Sequence, residues 1–436
     1  MLTLTLATTG DSIITRRVGN ESGEDFAELC ALLRSADAAL TNLEIMTPRD
    51  PRVPSSETGG GHCGAESFVL DELRWMGFNL YHVANNHATD YTRLGLLDTL
   101  AELRARDMVH AGAGTSLGEA RAPAYLDTGG GRVALVAAAS SFVTGALAAE
   151  RRTDMPGRPG INPLRHERRF ILDPERLRRL KDIDEALGTA ASVRQAERFG
   201  ILAEGKPGAH RFLGADVYEG ETPAVRTRCN PRDLEEICRA IRDARRQADL
   251  VVVSLHAHEG QALASNDATI ADFVREAVHA FVEAGADAFV GHGPHMLRAV
   301  EIHQGRPIFY SLGNFMFMIE TIDRFGAENY EQYAFPPAAL PAELADAMER
   351  WPDGRPKAFF ADRRFWQSVV PVLRGREVEL HPVTLGFDLP RGQRGTPRLA
   401  PAAEGRQILE DLAALSPGTR IDIAYRGRRA LGRIPL

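Results

Sequence analysis

Five polar clusters close five expected strands in this chain, and that arrangement constrains its fold more than any other feature. Asp11 follows the alternating run that begins at Leu2, and Glu44 follows Ala38–Leu43. Asn85-Asn86-His87, with Asp90 just beyond, follows Phe78–Val83. His256, His258 and Glu259 follow Leu250–Leu255, and His292 and His295 follow Ala288–Val290. In an open α/β sheet the crevice beyond the carboxyl ends of the strands is where ligands bind. One acid or histidine at a strand end is explained by capping or a satisfied turn. Five clusters of residue types that hold metals and move protons point instead to an α/β enzyme with its site at the strand C-terminal ends.

A strand–turn–helix alternation runs through the first third. A strand over Leu2–Ala7 runs into Gly10-Asp11, and a helix over Glu66–Met76 leads into the strand Phe78–Val83. Leucines at helical spacing (Leu96, Leu97, Leu100, Leu103) mark a helix over Arg93–Arg106. Strands over Ala124–Asp127 and Arg132–Ala139 flank Gly129-Gly130-Gly131 as a hairpin. Between about 148 and 230 the text turns to Arg, Gly and Pro around one amphipathic helix, Pro174–Leu187; it reads as an insertion that shapes or covers the site. Regular structure returns with helix Pro231–Ala248, strand Leu250–Leu255, helix Ala268–Ala284, strand Ala288–Val290 and a hairpin over Ala299–Leu312. The expected division is a catalytic domain over 1–330 that carries the insertion, and a C-terminal addition over 331–436 packed on it. The addition holds strands around Gln367–Leu373 and Glu377–Val383 and a helix over Glu404–Leu415.

Composition narrows the class. The 436 residues, 44% hydrophobic and 25% charged, can bury a full core. A net charge of −7 gives no electrostatic basis for binding nucleic acid. Cys30, Cys63, Cys229 and Cys238 show no CxxC spacing and read as reduced thiols. The N-terminus has no basic n-region or apolar h-region, and no apolar run of about 18 residues follows. The expectation is a cytoplasmic protein without a membrane partner.

The stretches Thr9-Gly10-Asp11, Asn42-Leu43-Glu44, Ala84-Asn85-Asn86-His87-Ala88-Thr89-Asp90, His256, Gly291-His292-Gly293-Pro294-His295 and Tyr310-Ser311-Leu312-Gly313-Asn314-Phe315, in that order, resemble the CapA family. That family is named for capsule poly-γ-glutamate biosynthesis and is itself similar to the calcineurin-like metallophosphoesterases. The resemblance spans roughly residues 3–318 and implies an αββα sandwich with a metal site at one edge. Carried over residue by residue, it implies Glu44, Asn86, His256 and His292 as ligands of one divalent ion. Mixed imidazole, carboxylate and amide ligands do not choose between Ca²⁺, Mn²⁺ and Zn²⁺.

Departures from the pattern carry the functional expectation. Metallophosphoesterases open with Asp-x-His, whereas this chain reads Asp11-Ser12-Ile13, so the first metal position lacks its histidine. Asp11 and His295 are then expected to form a carboxylate–imidazole pair. His87 matches the catalytic histidine of the family, and Asp90 can fix its tautomer and raise its basicity. The competing role for Asp90 is the N-cap of the helix over Arg93–Arg106.

Two His/Asp pairs about one ion suit the inversion of a peptide Cα, which needs a base on one face, an acid on the other and an electrophile at the neighbouring oxygen. Hydrolysis needs only an activated water and one acid. In this the chain looks like the soluble CapA-like peptide epimerases of ribosomal peptide pathways, including the lasso-peptide enzyme that inverts a C-terminal residue. The resemblance implies a ribosomal precursor peptide as substrate and partner. Where the family commonly follows its motif histidine with Trp-Gly, this chain has Ala257-His258-Glu259, and a missing indole would open room for a bulky side chain if Ala257 faces the site. An arginine of the insertion, or Arg16 or Arg17, would receive a terminal carboxylate. The alternative function is a metallohydrolase of γ-glutamyl or related amide bonds, or of phosphoesters.

Overall fold

Inward-facing residues of the central strands change from apolar to polar as each strand nears its carboxyl end, and this change builds the site. The sequence Val252, Ser254, His256 does so on strand Leu250–His256, and Ala288, Val290, His292 on Ala288–His292. Ala38, Leu40, Asn42 and Leu80, His82 repeat it on Ala38–Leu43 and Leu80–His82. Side chains two residues apart share a face of a strand, so the polar ends converge between two sheets.

The computed structural model describes residues 4–436 apart from residue 22; Leu2 and Thr3 of the first expected strand lie outside the described residues. The first sheet runs in the order Asp422–Arg426, Arg429–Pro435, Glu377–Thr384, Gln367–Arg374, Thr5–Ile13, Ala38–Leu43, Leu80–His82, Val109–Ala111, and Asn314–Phe317 also pairs with Thr5–Ile13. The second runs Val300–His303, Arg306–Phe309, Ala288–His292, Leu250–His256, Gly131–Ala139, Ala124–Thr128. Central neighbours are parallel, and their registers align the site: Asp11 with Asn42, Asn42 with His82, His256 with His292.

Three apolar clusters fill the layers. Between the sheets lie Leu6, Leu40 and Leu80 against Leu135, Val252, Val290 and Phe309. Outside the first sheet pack helices Glu24–Arg34, Phe68–Met76 and Thr92–Ala105; outside the second pack Pro231–Arg245 and Asp272–Glu283. The result is a four-layer αββα sandwich of the calcineurin-like kind.

The strand expected to end before Gly10 instead runs from Thr5 to Ile13. Asp11 N donates to Gly313 O at 2.9 Å, and a Cβ on Gly10 would lie 1.8 Å from that same oxygen. Only glycine permits the approach that draws Asn314–Phe317 onto the strand.

Residues 148–230 contain a separate four-stranded sheet (Ala209–Phe212, Ala215–Glu219, His166–Leu172, Ala224–Cys229) beside helices Pro174–Leu187 and Thr189–Arg198. Arg165 of this segment bonds the fully buried Asp233 at 2.7 Å, and Arg121 of the core bonds the same carboxylate at 2.8 Å and Asn162 of the segment at 3.1 Å. Residues 331–436 do not merely pack on the core. They continue its first sheet, with Thr5 opposite Arg374 and Ala7 opposite Val372. Helix Ala402–Leu415 covers the inner face of these added strands with Ile408, Leu409 and Leu412.

Candidate metal centre and its cavity

Glu44 stands just past Leu43, with no exposed surface and no hydrogen-bond partner for either carboxylate oxygen. Three imidazole nitrogens surround its Oε1: His256 Nε2 at 3.7 Å, His87 Nε2 at 3.9 Å and His295 Nε2 at 4.0 Å. A bare carboxylate buried this way costs several kcal/mol. Burial, then the charge of Asp11, pushes the Glu44 carboxyl well above its usual range. The Asn86 side-chain oxygen is likewise buried without a partner, while its amide nitrogen donates to Gly59 O at 2.8 Å. Orphaned oxygens beside converging imidazoles are the donor set that a divalent cation fits.

The expected ligands divide between two adjoining groups: Glu44 with His258 and His295, and Asp11 with His256 and His292. His256 reaches both. Its Nε2 is 3.0 Å from His258 Nε2, and its Nδ1 is 3.0 Å from His292 Nδ1. Two nitrogens bound to one ion at about 2.0–2.1 Å lie about 3 Å apart. His292, expected beside Glu44, instead bonds Ser254 Oγ through Nε2 at 2.9 Å and faces Asp11 Oδ1 at 3.5 Å. His258 takes the place beside Glu44, held at Nδ1 by Asn266 Oδ1 at 2.6 Å so that Nε2 points inward. The His256-x-His258 spacing, which puts both rings on one side of an extended chain, was the available signal for it.

Electrostatics keeps these rings neutral, the form that binds metal. Burial, then the neighbouring histidines, holds His256 well below its ordinary range; burial and His295 bring His258 to about 3, and burial takes His292 to about 4. Burial pushes the Asp11 carboxyl up, but contacts with His295, His292 and Asn42 outweigh it and hold the group low.

The two expected acid–base pairs differ in geometry. His87 Nδ1 donates to Asp90 Oδ2 at 2.7 Å. Burial disfavours the His87 cation, yet Cys63 and Asp90 outweigh it and raise the imidazole well above its ordinary range. Asp90 is not the helix cap: the helix begins at Thr92 after Tyr91, and the carboxylate also accepts from Cys63 N at 2.8 Å and Gly59 N at 3.1 Å. Cys63, one of four buried free thiols, brings its sulfur to 3.8 Å from His87 Nε2. Asp11 and His295 approach only to 3.5 Å, because Asp11 Oδ2 accepts from Gly293 N at 3.0 Å. The acceptor for His295 Nδ1 is Asn314 Oδ1 at 2.9 Å; the Asn314 amide donates to His295 O and Phe365 O, which fixes its orientation. His295 itself sits at φ 61°, a left-handed conformation that costs a non-glycine residue about 1–3 kcal/mol.

The model of the bacterial capsule synthesis protein PGA_cap family matches residues 5–318, which include every candidate ligand and acid–base side chain of the centre. The chain belongs to that family. The similar protein y4sH of Sinorhizobium fredii, described as uncharacterized, is 36% identical over 439 residues, covering 97% of this chain and 92% of its own length. The capsule biosynthesis protein CapA of Bacillus anthracis is 26% identical over 320 residues, 72% of this chain and 60% of that protein. The PGA biosynthesis protein CapA of Bacillus subtilis is 27% identical over 307 residues, 70% of this chain and 59% of its own. Among the described residues no helix is long and apolar enough to cross a membrane.

In this PGA_cap chain a cavity of about 590 Å³ opens beside the centre, lined by Asn86, His87, His258, His295 and the loop Thr58–Cys63. Its other walls are largely apolar, from Phe142, Phe317, Phe325, Met348, Phe359 and Phe360, with Ser141, Glu259, Asn266 and Glu349 among them. Much of that wall comes from residues beyond 318, outside the PGA_cap match. Among the described residues that line it, Arg168, from the insertion, is the only lysine or arginine. Arg16 and Arg17 do not line it: Arg16 bonds Arg394 O at 2.7 Å, and Arg17 pairs with Glu72 at 3.1 Å. The expectation for Ala257 also fails, because with His256 pointing inward its neighbour points outward into the core behind the second sheet. The room comes from the Phe-lined walls.

Proposed function

We propose that the chain is a metal-dependent peptide epimerase that inverts a Cα centre at or near the C-terminus of a ribosomally made precursor peptide, met in the cytoplasm. One observation carries this reading: Nε2 atoms of two differently held imidazoles, His87 and His295, stand 3.9 and 4.0 Å from the same oxygen of Glu44. His87, whose cation Cys63 and Asp90 favour, is suited to give a proton from Nε2. His295, whose Nδ1–H is committed to Asn314, presents Nε2 to receive one. Running the exchange backwards swaps these roles, as an inversion requires. A divalent ion held by Glu44, Asn86, His256 and His258 would supply a Lewis acid for the carbonyl beside the reacting carbon. The apolar cavity receives the side chain, and Arg168 is the cation placed to meet a terminal carboxylate.

A second reading, hydrolysis of a γ-glutamyl or related amide bond, draws on the comparisons, since the Bacillus relatives are described by capsule and PGA biosynthesis. Phosphoester cleavage suits the cavity less, because a single arginine faces a largely apolar wall. Mass spectrometry of peptides incubated with the enzyme and metal in D₂O, with and without chelator, separates the readings. Chelator-sensitive gain of one deuterium without cleavage is the expected result; cleavage products without exchange would replace epimerisation with hydrolysis.

A further inference from the structure

A second group of donor atoms gathers outside the lining of the cavity, on the edge hairpin of the second sheet. Val300 and Ile302 of strand Val300–His303 pack into the core between the sheets, so Glu301 and His303 share the opposite, outer face. Helix Asp272–Glu283 packs on that face and brings His279 to the same point. His279 Nε2 lies 2.8 Å from Glu301 Oε1, and His303 Nδ1 lies 4.0 Å from the same oxygen. One ligand atom from each of the three residues falls within 4.8 Å of the other two. The two imidazoles lie face to face, 4.1 Å between centroids and 2° between planes. From behind, Tyr310 Oη donates to Glu301 Oε2 at 2.7 Å and Arg275 at 3.3 Å. These bonds fix the carboxylate and leave Oε1 toward the imidazoles, as hydrogen bonds behind a metal ligand do. The three side chains are 24 to 32% exposed, open enough to admit an ion with its water. The group is also far from the catalytic end of the sheet. His303 pairs with Arg306, the first residue of a strand parallel to Ala288–His292, whereas His292 closes that strand at its other end.

We infer that His279, Glu301 and His303 form a second metal site, which takes a divalent transition-metal ion of the zinc class (Zn²⁺, Ni²⁺ or Cu²⁺) and clips the outer helix to the edge hairpin. Two imidazoles and one carboxylate oxygen, with water completing the shell, suit these ions; Ca²⁺ and Mg²⁺ call for a set made mostly of oxygens. To meet an ion at about 2.0–2.1 Å, the imidazoles must tilt out of their stack until both lone pairs converge beside Oε1. Arg275 beside the same carboxylate works against a further cation, so binding is micromolar rather than that of an enclosed structural zinc site. The inference is independent of the reaction proposed above.

Counting zinc tests the site. Equilibrium dialysis of the full chain against micromolar Zn²⁺ at pH about 7.5, above the usual range of histidine, should find one more ion per chain on wild type than on His303→Ala or on His279→Ala. An ion at the centre beside Glu44 is common to all three proteins and cancels. Ca²⁺ should show no such difference. Labelling of wild type carries the test if a variant does not fold: Zn²⁺ should slow acylation of both His279 and His303 by diethyl pyrocarbonate several-fold, and Ca²⁺ should not. Equal zinc counts on wild type and either variant, acylation that zinc does not slow, or equal filling by Ca²⁺ would overturn the assignment. So would an extra ion taken up only above about 1 mM Zn²⁺, which is adventitious binding.

Discussion

Replacing Asp90 by asparagine tests the centre where its hydrogen bonding is most fully determined. The carboxylate is completely buried and serves three donors: His87 Nδ1 at 2.7 Å, Cys63 N at 2.8 Å and Gly59 N at 3.1 Å. Asparagine keeps the shape but offers one oxygen and an NH₂ group. If its oxygen stays on His87 and Cys63, the NH₂ meets the Gly59 N–H, donor against donor. If the amide turns, Cys63 N–H loses its acceptor, and His87 must surrender its Nδ1 proton and carry it on Nε2. One orphaned buried donor costs about 1–3 kcal/mol, and loss of charge assistance adds to it, so about 2–4 kcal/mol of stability should go. Catalysis should fall further, because an imidazole that loses its orienting acid or changes tautomer forfeits about 10²–10⁴ in rate. Urea unfolding reads the first effect, and the rate of Cα deuteration across a pH series reads the second. If Asp90→Asn is destabilised as stated but exchanges deuterium within about threefold of wild type at every pH, Asp90 serves only the loop Gly59–Cys63, and the acid role of His87 falls.

Other perturbations separate the parts of the site. His258→Ala should weaken divalent-metal binding about tenfold or more and His292→Ala less, by equilibrium dialysis; the opposite order would restore His292 beside Glu44. Glu44→Gln removes the cost of protonating or burying an unpartnered carboxylate, so chelator-treated protein should gain about 1–3 kcal/mol in urea while losing any metal-dependent stabilisation. The Glu349 carboxyl, raised from 4.5 to about 7, holds its proton in the fold over a range where the unfolded chain has lost it. Its contribution is therefore present at low pH and lost as pH rises through that window, by about 1–2 kcal/mol after allowance for solvent screening; Glu349→Gln should flatten the urea midpoint over that range. Gly10→Ala, whose Cβ would fall 1.8 Å from Gly313 O, should fail to accumulate as folded protein; a normal urea transition would show that the strand can move aside.

Local chemistry made much of this fold legible. Helix Pro174–Leu187 begins with proline at N1 after Asp173, whose side chain accepts from Arg176 N at 3.0 Å, and its ends were readable to the residue. The hairpin around Gly129-Gly130 closes with Thr128 opposite Gly131, as its glycines require. Helix Glu24–Arg34 went unread because Gly23 gives it no side-chain cap. The place of residues 331–436 inside the first sheet was invisible for another reason: pairing of Gln367–Arg374 with Thr5–Ile13 joins positions more than 350 apart and leaves no periodic trace in either. At the site, residue types and strand ends were legible, and the partition of nitrogens was not. Whether His292 or His258 faces Glu44 depends on Ser254 and Asn266, and the partner of His295 proved to be Asn314 rather than Asp11.

The metal-facing groups all lie within residues 5–318, whereas Phe325, Met348, Glu349, Phe359 and Phe360 of the cavity wall lie beyond them. Much of the cavity wall is thus written in a stretch of chain that follows the one carrying the metal-facing groups, while Phe142, Arg168 and Phe317 line it from within that earlier stretch. Mutation can redraw the guest without disturbing the reagent, and descendants of a single ancestor can keep the same chemistry while parting over what they accept. Exchanging residues 319–366 between two such enzymes would move the preference and leave the catalyst in place.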